Sequence, residues 1–142
     1  MICQGKIVGA YGQTELGHGS NVQGIETTAH YDERNDTFVL NSPTVTSSKF
    51  WPGVLGMYSS HTVLQAKTFV NKKYIGVQTF IVEIRSSNLE PLPGVESGDI
   101  GPKLGFQRVD NGFLRLHNVT VPRRNFLMRY VQVEKGGKVI GL

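Results

Sequence analysis

Cysteine is almost missing from this 142-residue sequence, and Cys3 alone can close no internal disulfide and build no cysteine-based zinc cluster. A reducing compartment is the matching expectation. Long hydrophobic runs are missing too: none approaches the roughly 20 residues of a membrane-spanning helix, so no membrane span is expected. Met1-Ile2-Cys3-Gln4-Gly5-Lys6 lacks the apolar stretch of a secretory signal, which makes the Asn118-Val119-Thr120 sequon a chance match. The four histidines, His18, His30, His61 and His117, fall at no spacing used by metal ligands, so no metal site is expected. No nucleophile-elbow pattern joins the serines, histidines and acids into a hydrolase triad. Charged residues make up 18% of the chain, with a net charge of +4. The basic side chains are dispersed and not interleaved with aromatics, which excludes the familiar nucleic-acid modules. Repeats, low-complexity tracts and long amphipathic helices are absent.

What remains is a globular composition, 39% hydrophobic, of a length that suits one domain over residues 1–142 and is too short for a multi-domain enzyme. Lys6 to Tyr11 reads as a short strand at a sheet edge. Residues 27–32 and 37–41 read as a hairpin around the polar joint 33–36, and Pro43 ends the pairing because it has no N–H to donate. Thr44 to Phe50 has the composition of a further extended run. Residues 61–70 and 74–84 form a long hairpin, with Phe80-Ile81-Val82 expected to be central and covered on both faces. Ser86 to Gly105, rich in Pro and Gly, reads as an ordered loop, and Gly112 to Val121 as one strand. Pro122 opens a short helix or turn. The fold class is therefore all-β, either packed sheets or a partly open β-barrel.

Two stretches carry candidate chemistry. In Tyr11-Gly12-Gln13-Thr14-Glu15-Leu16-Gly17-His18-Gly19-Ser20-Asn21, three glycines let main-chain N–H groups approach a flat or anionic ligand, and Thr14 and Ser20 add directional hydrogen bonds. A simple glycine-rich turn is the competing account. In Phe50-Trp51-Pro52-Gly53-Val54-Leu55-Gly56, the Trp51 ring and the bare backbone of Gly53 suit the wall and floor of a site for a planar ring, whereas the plain alternative makes Trp51 a core plug.

The first stretch closely resembles the signature that opens the middle, β-rich domain of the acyl-CoA oxidases, relatives of the acyl-CoA dehydrogenases. The resemblance continues in order through Gly24-Ile25-Glu26-Thr27-Thr28-Ala29, Leu40-Asn41-Ser42-Pro43-Thr44-Val45-Thr46-Ser47, Trp51-Pro52-Gly53, Phe80-Ile81-Val82, Pro91-Leu92-Pro93-Gly94-Val95, Gly98-Asp99-Ile100-Gly101-Pro102-Lys103 and Val121-Pro122-Arg123. It implies a middle-domain fold whose N- and C-terminal helical domains are not part of this chain. It also implies FAD as cofactor, acyl-CoA as substrate, a peroxisomal location and a parent that is homodimeric. The family's flavin-contacting threonine and glycine fall on Thr14 and Gly53, with Gln13 as a further cofactor candidate, and His18 and Ser20 fall on the acyl-CoA side. The implied reaction is α,β-dehydrogenation of acyl-CoA to the trans-2-enoyl thioester, with oxygen reduced to hydrogen peroxide. The family's catalytic base belongs to the C-terminal helical part, so no catalytic residue is expected here, and Glu15 is assigned to loop structure or a hydrogen bond. Val54 and Met57 depart from the family's second glycine and lysine, the first restricting the backbone and the second removing a cation. These departures, with the short length, motivate a second hypothesis of a stand-alone, non-catalytic β-module that binds a protein partner.

Overall fold

The computed structural model describes residues 7–141, so Cys3 and Lys6 lie outside the described residues. Among the described residues eleven strands follow one another: β1 (Gly9–Gly12), β2 (Thr28–Asp32), β3 (Thr37–Asn41), β4 (Lys49–Gly53), β5 (His61–Val70), β6 (Lys73–Glu83), β7 (Val95–Asp99), β8 (Asn111–Leu116), β9 (Val119–Pro122), β10 (Gln132–Val133) and β11 (Val139–Ile140). Among the described residues the only helical pieces are two three-residue 3-10 turns, Val22–Gly24 and Arg123–Asn125. The second of these is the short turn expected after Pro122.

β5 organises the larger, six-stranded sheet. Its side chains alternate strictly, with Thr62, Leu64, Ala66, Thr68 and Val70 buried, as a period of two requires of a strand with one face on the core. One edge of β5 pairs in parallel with β1 through Gly9↔His61 to Gly12↔Leu64, and then with β2 through Thr28↔Lys67 to His30↔Phe69. The other edge pairs antiparallel with β6, whose extra residue near Gly76 is absorbed by a bulge at φ +97°. The β2–β3 hairpin closes around residues 33–36 as expected, and β9 adds to β3. β4, β8 and β7 form a second, antiparallel sheet.

One core fills the space between the sheets, with Phe38, Leu40, Leu64, Phe80 and Val82 from the first meeting Leu114 and Leu116 from the second. Phe38, Phe80 and Phe126 form an aromatic triangle with ring centroids 5.1, 5.3 and 5.6 Å apart, each pair contributing about 0.5–1.5 kcal/mol beyond its buried area. The triangle draws the segment after β9 onto β6, where the Leu127 N–H donates to the Thr79 carbonyl at 2.9 Å. The larger sheet thereby curls toward closure, giving an all-β, half-open barrel.

Four expectations are corrected. Thr44 to Ser48 is a turn and only Lys49 onward is strand, because Ser47 and Ser48 hydroxyls donate back to the carbonyls of Thr44 and Val45, three residues earlier. The 86–105 segment contains β7, whose weakly apolar Val-Glu-Ser-Gly-Asp run is held by pairing with β8. Residues 112–121 are not one strand: Asn118, at φ +52°, turns the chain so that β8 and β9 join different sheets. Ile81 is 38% exposed between buried Phe80 and Val82, so β6 is covered on one face only.

Candidate functional site

The loop after β1 is built from its backbone outward. Glu15 and His18 exchange main-chain hydrogen bonds of 3.0 and 3.1 Å, closing a tight turn at Leu16-Gly17. The Leu16 and Gly17 N–H groups donate to the carbonyls of Ser48 and Thr46, which pins the tip to the turn before β4. Gly17 is required there, since a Cβ would sit 2.9 Å from that of Thr46. The Phe50 N–H donates to the Thr14 carbonyl at 3.0 Å, seating half-buried Thr14 beside β4.

β4 brings the second stretch to the same margin. Gly53 follows Phe50 by three residues, so at most about 10 Å of extended chain separates it from the Thr14 contact. Between the two lies a bulge, where Phe50 pairs with Phe113 and Gly53 with Asn111. The bulge places Trp51 at φ +70°, and Asn111 Nδ2 donates to its carbonyl at 2.9 Å. Trp51 is 60% exposed and is not a core plug. Nothing lies within 4 Å of where a Cβ on Gly53 would project, so its backbone faces open space.

The other candidates are placed less freely. Gln13 Oε1 accepts from the Tyr11 hydroxyl at 2.7 Å, and Gln65 Nε2 donates to that hydroxyl at 2.7 Å, which ties Gln13 to the outer face of β1 and β5. His18 Nε2 lies 2.8 Å from the Glu26 carboxylate. Hydrogen bonds from Thr44, then His18 and Thr46, hold the Glu26 carboxyl at about 2, well below the usual carboxylate range. Ser20 is exposed, and its carbonyl accepts from Val22 at the start of the first 3-10 turn. His18 thus closes the tight turn opposite Glu15, and Ser20 follows it toward the first 3-10 turn.

Beneath the Thr14 corner lies a polar cluster that sequence reasoning missed in part. Glu15 is 2% exposed, and its carboxylate accepts from the N–H groups of Glu26 and Thr27, from the Thr27 hydroxyl and from Lys49 Nζ at 3.0 Å. Lys49 is 1% exposed, and its ammonium also donates to the carbonyls of Gln13 and Gln65. Burial pulls the Lys49 ammonium below the ordinary lysine value, and the Glu15 carboxylate opposes that pull. Nothing local in Ser48-Lys49-Phe50 marks the lysine as interior; its partner is 34 residues away.

A second polar brace stands behind Gly53. The Asp110 carboxylate accepts from the Gly56 and Met57 N–H groups at 2.8 and 3.0 Å, and Val54, at φ +59°, donates its N–H to the Asp110 carbonyl. A β-branched side chain at positive φ is strained, so Val54 occupies a conformation that a glycine would adopt freely. Buried Arg85 donates to the carbonyls of Leu55, Gly56 and Ser59.

A family model described as "Acyl-CoA dehydrogenase, middle domain" matches residues 10–119. The chain is 48% identical over 136 residues to peroxisomal acyl-coenzyme A oxidase 1 of Cavia porcellus, covering 95% of this chain and 21% of that protein. It is 50% identical over 139 residues to putative peroxisomal acyl-coenzyme A oxidase 1.2 of Arabidopsis thaliana, with the same two coverages, 95% and 21%. Among solved structures, Arabidopsis thaliana acyl-CoA oxidase 1 superposes with a TM-score of 0.96 at 46% identity, over 99% of this chain and 22% of that one. Acyl-CoA oxidase-1 of Caenorhabditis elegans complexed with FAD and ATP gives 0.94 at 46% identity, over 96% and 21%. The chain spans about a fifth of the length of these relatives.

Proposed function

This chain belongs to the acyl-CoA dehydrogenase middle-domain family, and from that premise we propose that it forms the β wall of a flavin site in a peroxisomal acyl-CoA oxidase. The observation that carries the reading is the shared margin: Thr14 is hydrogen-bonded to Phe50 and Gly53 lies three residues along the same strand, with an open face above its backbone. The residues fit the cofactor, since a bare backbone flanked by an exposed indole admits a flat ring that a Cβ would obstruct. In this reading FAD supplies hydride acceptance from the acyl thioester. Thr14 holds the ring by its hydroxyl, the Gly53 peptide borders it, and Gln13 stands as a third contact. His18 and Ser20, farther along the loop, line the acyl-CoA side. The helical domains, and a second copy in a homodimer, complete the cleft and supply the base. The names of the relatives, peroxisomal acyl-coenzyme A oxidases, support the substrate class and the compartment.

The test is a chimaera in which this chain replaces the matching segment of the Arabidopsis relative. The expected protein is yellow and releases hydrogen peroxide from acyl-CoA. Thr14→Val and Gly53→Ala each weaken FAD retention by about tenfold, the loss of one well-placed contact, and leave the thermal midpoint within about 2 °C. A colourless chimaera, or variants that retain FAD as the parent does, would refute the assignment.

A further inference from the structure

We infer that Lys49 and Glu15 are the positioning residues of the Thr14 corner: their buried ion pair fixes the loop geometry on which the proposed flavin contact rests. The inference deepens that reading and depends on it only for the ligand.

Three observations converge. The pair is sealed, with side-chain exposures of 1% for Lys49 and 0% for Glu15. Its hydrogen bonds grip the residues on either side of Thr14 and leave Thr14 itself between them. Lys49 Nζ holds the Gln13 carbonyl at 3.2 Å and the Glu15 carboxylate at 3.0 Å, while its third bond, 2.7 Å to the Gln65 carbonyl, anchors the assembly to the middle of β5. Glu15 in turn locks residues 26–27 through two N–H groups and the Thr27 hydroxyl, at 2.7, 3.0 and 2.5 Å. The three ammonium donors are therefore used on three acceptors, two in the loop on either side of Thr14 and one on the central strand. An apolar core residue would fill the same volume and orient none of them.

Isolating a charge pair from water costs several kcal/mol of desolvation in general, and hydrophobic replacements often match or exceed its stability. What the pair adds is direction. Thr14 has one carbonyl bond to Phe50, and without Lys49 the Gln13 carbonyl and the Glu15 carboxylate lose the one charged group that ties both to the Gln65 carbonyl of β5.

The experiment uses the 142-residue chain and its Lys49→Met and Thr27→Val variants, the second removing one hydroxyl from Glu15 and keeping the ion pair. Amide hydrogen exchange is measured residue by residue in this chain, and FAD titration, followed by flavin fluorescence, in the chimaera carrying the same substitutions. Expected for Lys49→Met is exchange accelerated by about tenfold or more at Gln13 to Leu16, with protection in β5 and β6 retained, and a smaller acceleration at the same residues in Thr27→Val. FAD affinity falls by about tenfold in Lys49→Met, and the double variant with Thr14→Val loses no more than the weaker single variant, since both act through one contact. Unchanged exchange at residues 13–16, or additive losses in affinity, would overturn the inference. If Lys49→Met does not fold, Thr27→Val decides by the same exchange criterion. If the wild-type chimaera takes up no FAD, that counts against the flavin reading alone, because the exchange measurement judges the positioning role without ligand.

Discussion

Arg85→Met removes a single buried cation and tests whether the polar brace behind Gly53 holds the turn after β4. The guanidinium donates to the carbonyls of Ser59, Leu55 and Gly56 at 2.8, 2.9 and 2.7 Å and to the Ser97 hydroxyl at 2.8 Å. Methionine fills much of the volume and satisfies none of the four acceptors. Each buried carbonyl left without a donor costs about 1–3 kcal/mol, which sets a ceiling of about 9 kcal/mol for three. Two effects reduce it: the desolvation cost of the guanidinium is relieved, and water reaches part of the site through half-buried Ser97. The expected loss is about 3–5 kcal/mol, a large share of the roughly 5–15 kcal/mol that stabilises a domain. Urea unfolding followed by far-ultraviolet circular dichroism measures it. The anisotropy of Trp51, the single tryptophan, reports whether the adjoining turn loosens in the folded state. A loss under about 1 kcal/mol with unchanged anisotropy would refute the claim that Arg85 holds this turn.

Two further predictions follow from the geometry around the site. Gly112→Ala drives a methyl into the main chain of Leu55 and Gly56, at 2.6 Å from the Gly56 Cα, and should cost about 3 kcal/mol or more by separating β8 from the turn; an unaltered thermal midpoint would contradict the packing. Glu26 has a folded-state value of about 2 against an ordinary 4.5, so its contribution is fully present above pH 4.5 and is lost as pH falls from 4.5 through about 2. Urea midpoints measured down this window should fall more steeply for the native chain than for Glu26→Gln, and parallel slopes would show that Glu26 is not the group concerned.

The hairpin at 28–41, the long β5–β6 hairpin and the strand before the glycine-rich loop were legible because each depends on local alternation and turn chemistry, which neighbouring residues encode. The division of residues 112–121 between two sheets went unread: the apolar alternation shifts phase from Leu114 and Leu116 to Val119 and Val121, a one-residue slip at Asn118, whose positive φ redirects the chain. β7 was hidden for the opposite reason, having little apolar signal and depending on β8 for its order. The candidate positions Thr14 and Gly53 came from ordered motif resemblance, whereas their supports, buried Lys49 and Arg85 and half-buried Asp110, carry no local mark of that role.

The sequence by itself determined the all-β class, the family and the two stretches that carry the candidate contacts, because composition, period and motif order are properties of the chain read in one dimension. Tertiary structure alone decided that those stretches share one margin, that Trp51 faces outward, and that a lysine at position 49 meets a glutamate at position 15 in the buried interior. The physical reason is separation along the chain: parallel pairing of β1 and β2 with β5, and the curl closed by Phe38, Phe80 and Phe126, bring together groups whose mutual attraction no local pattern records.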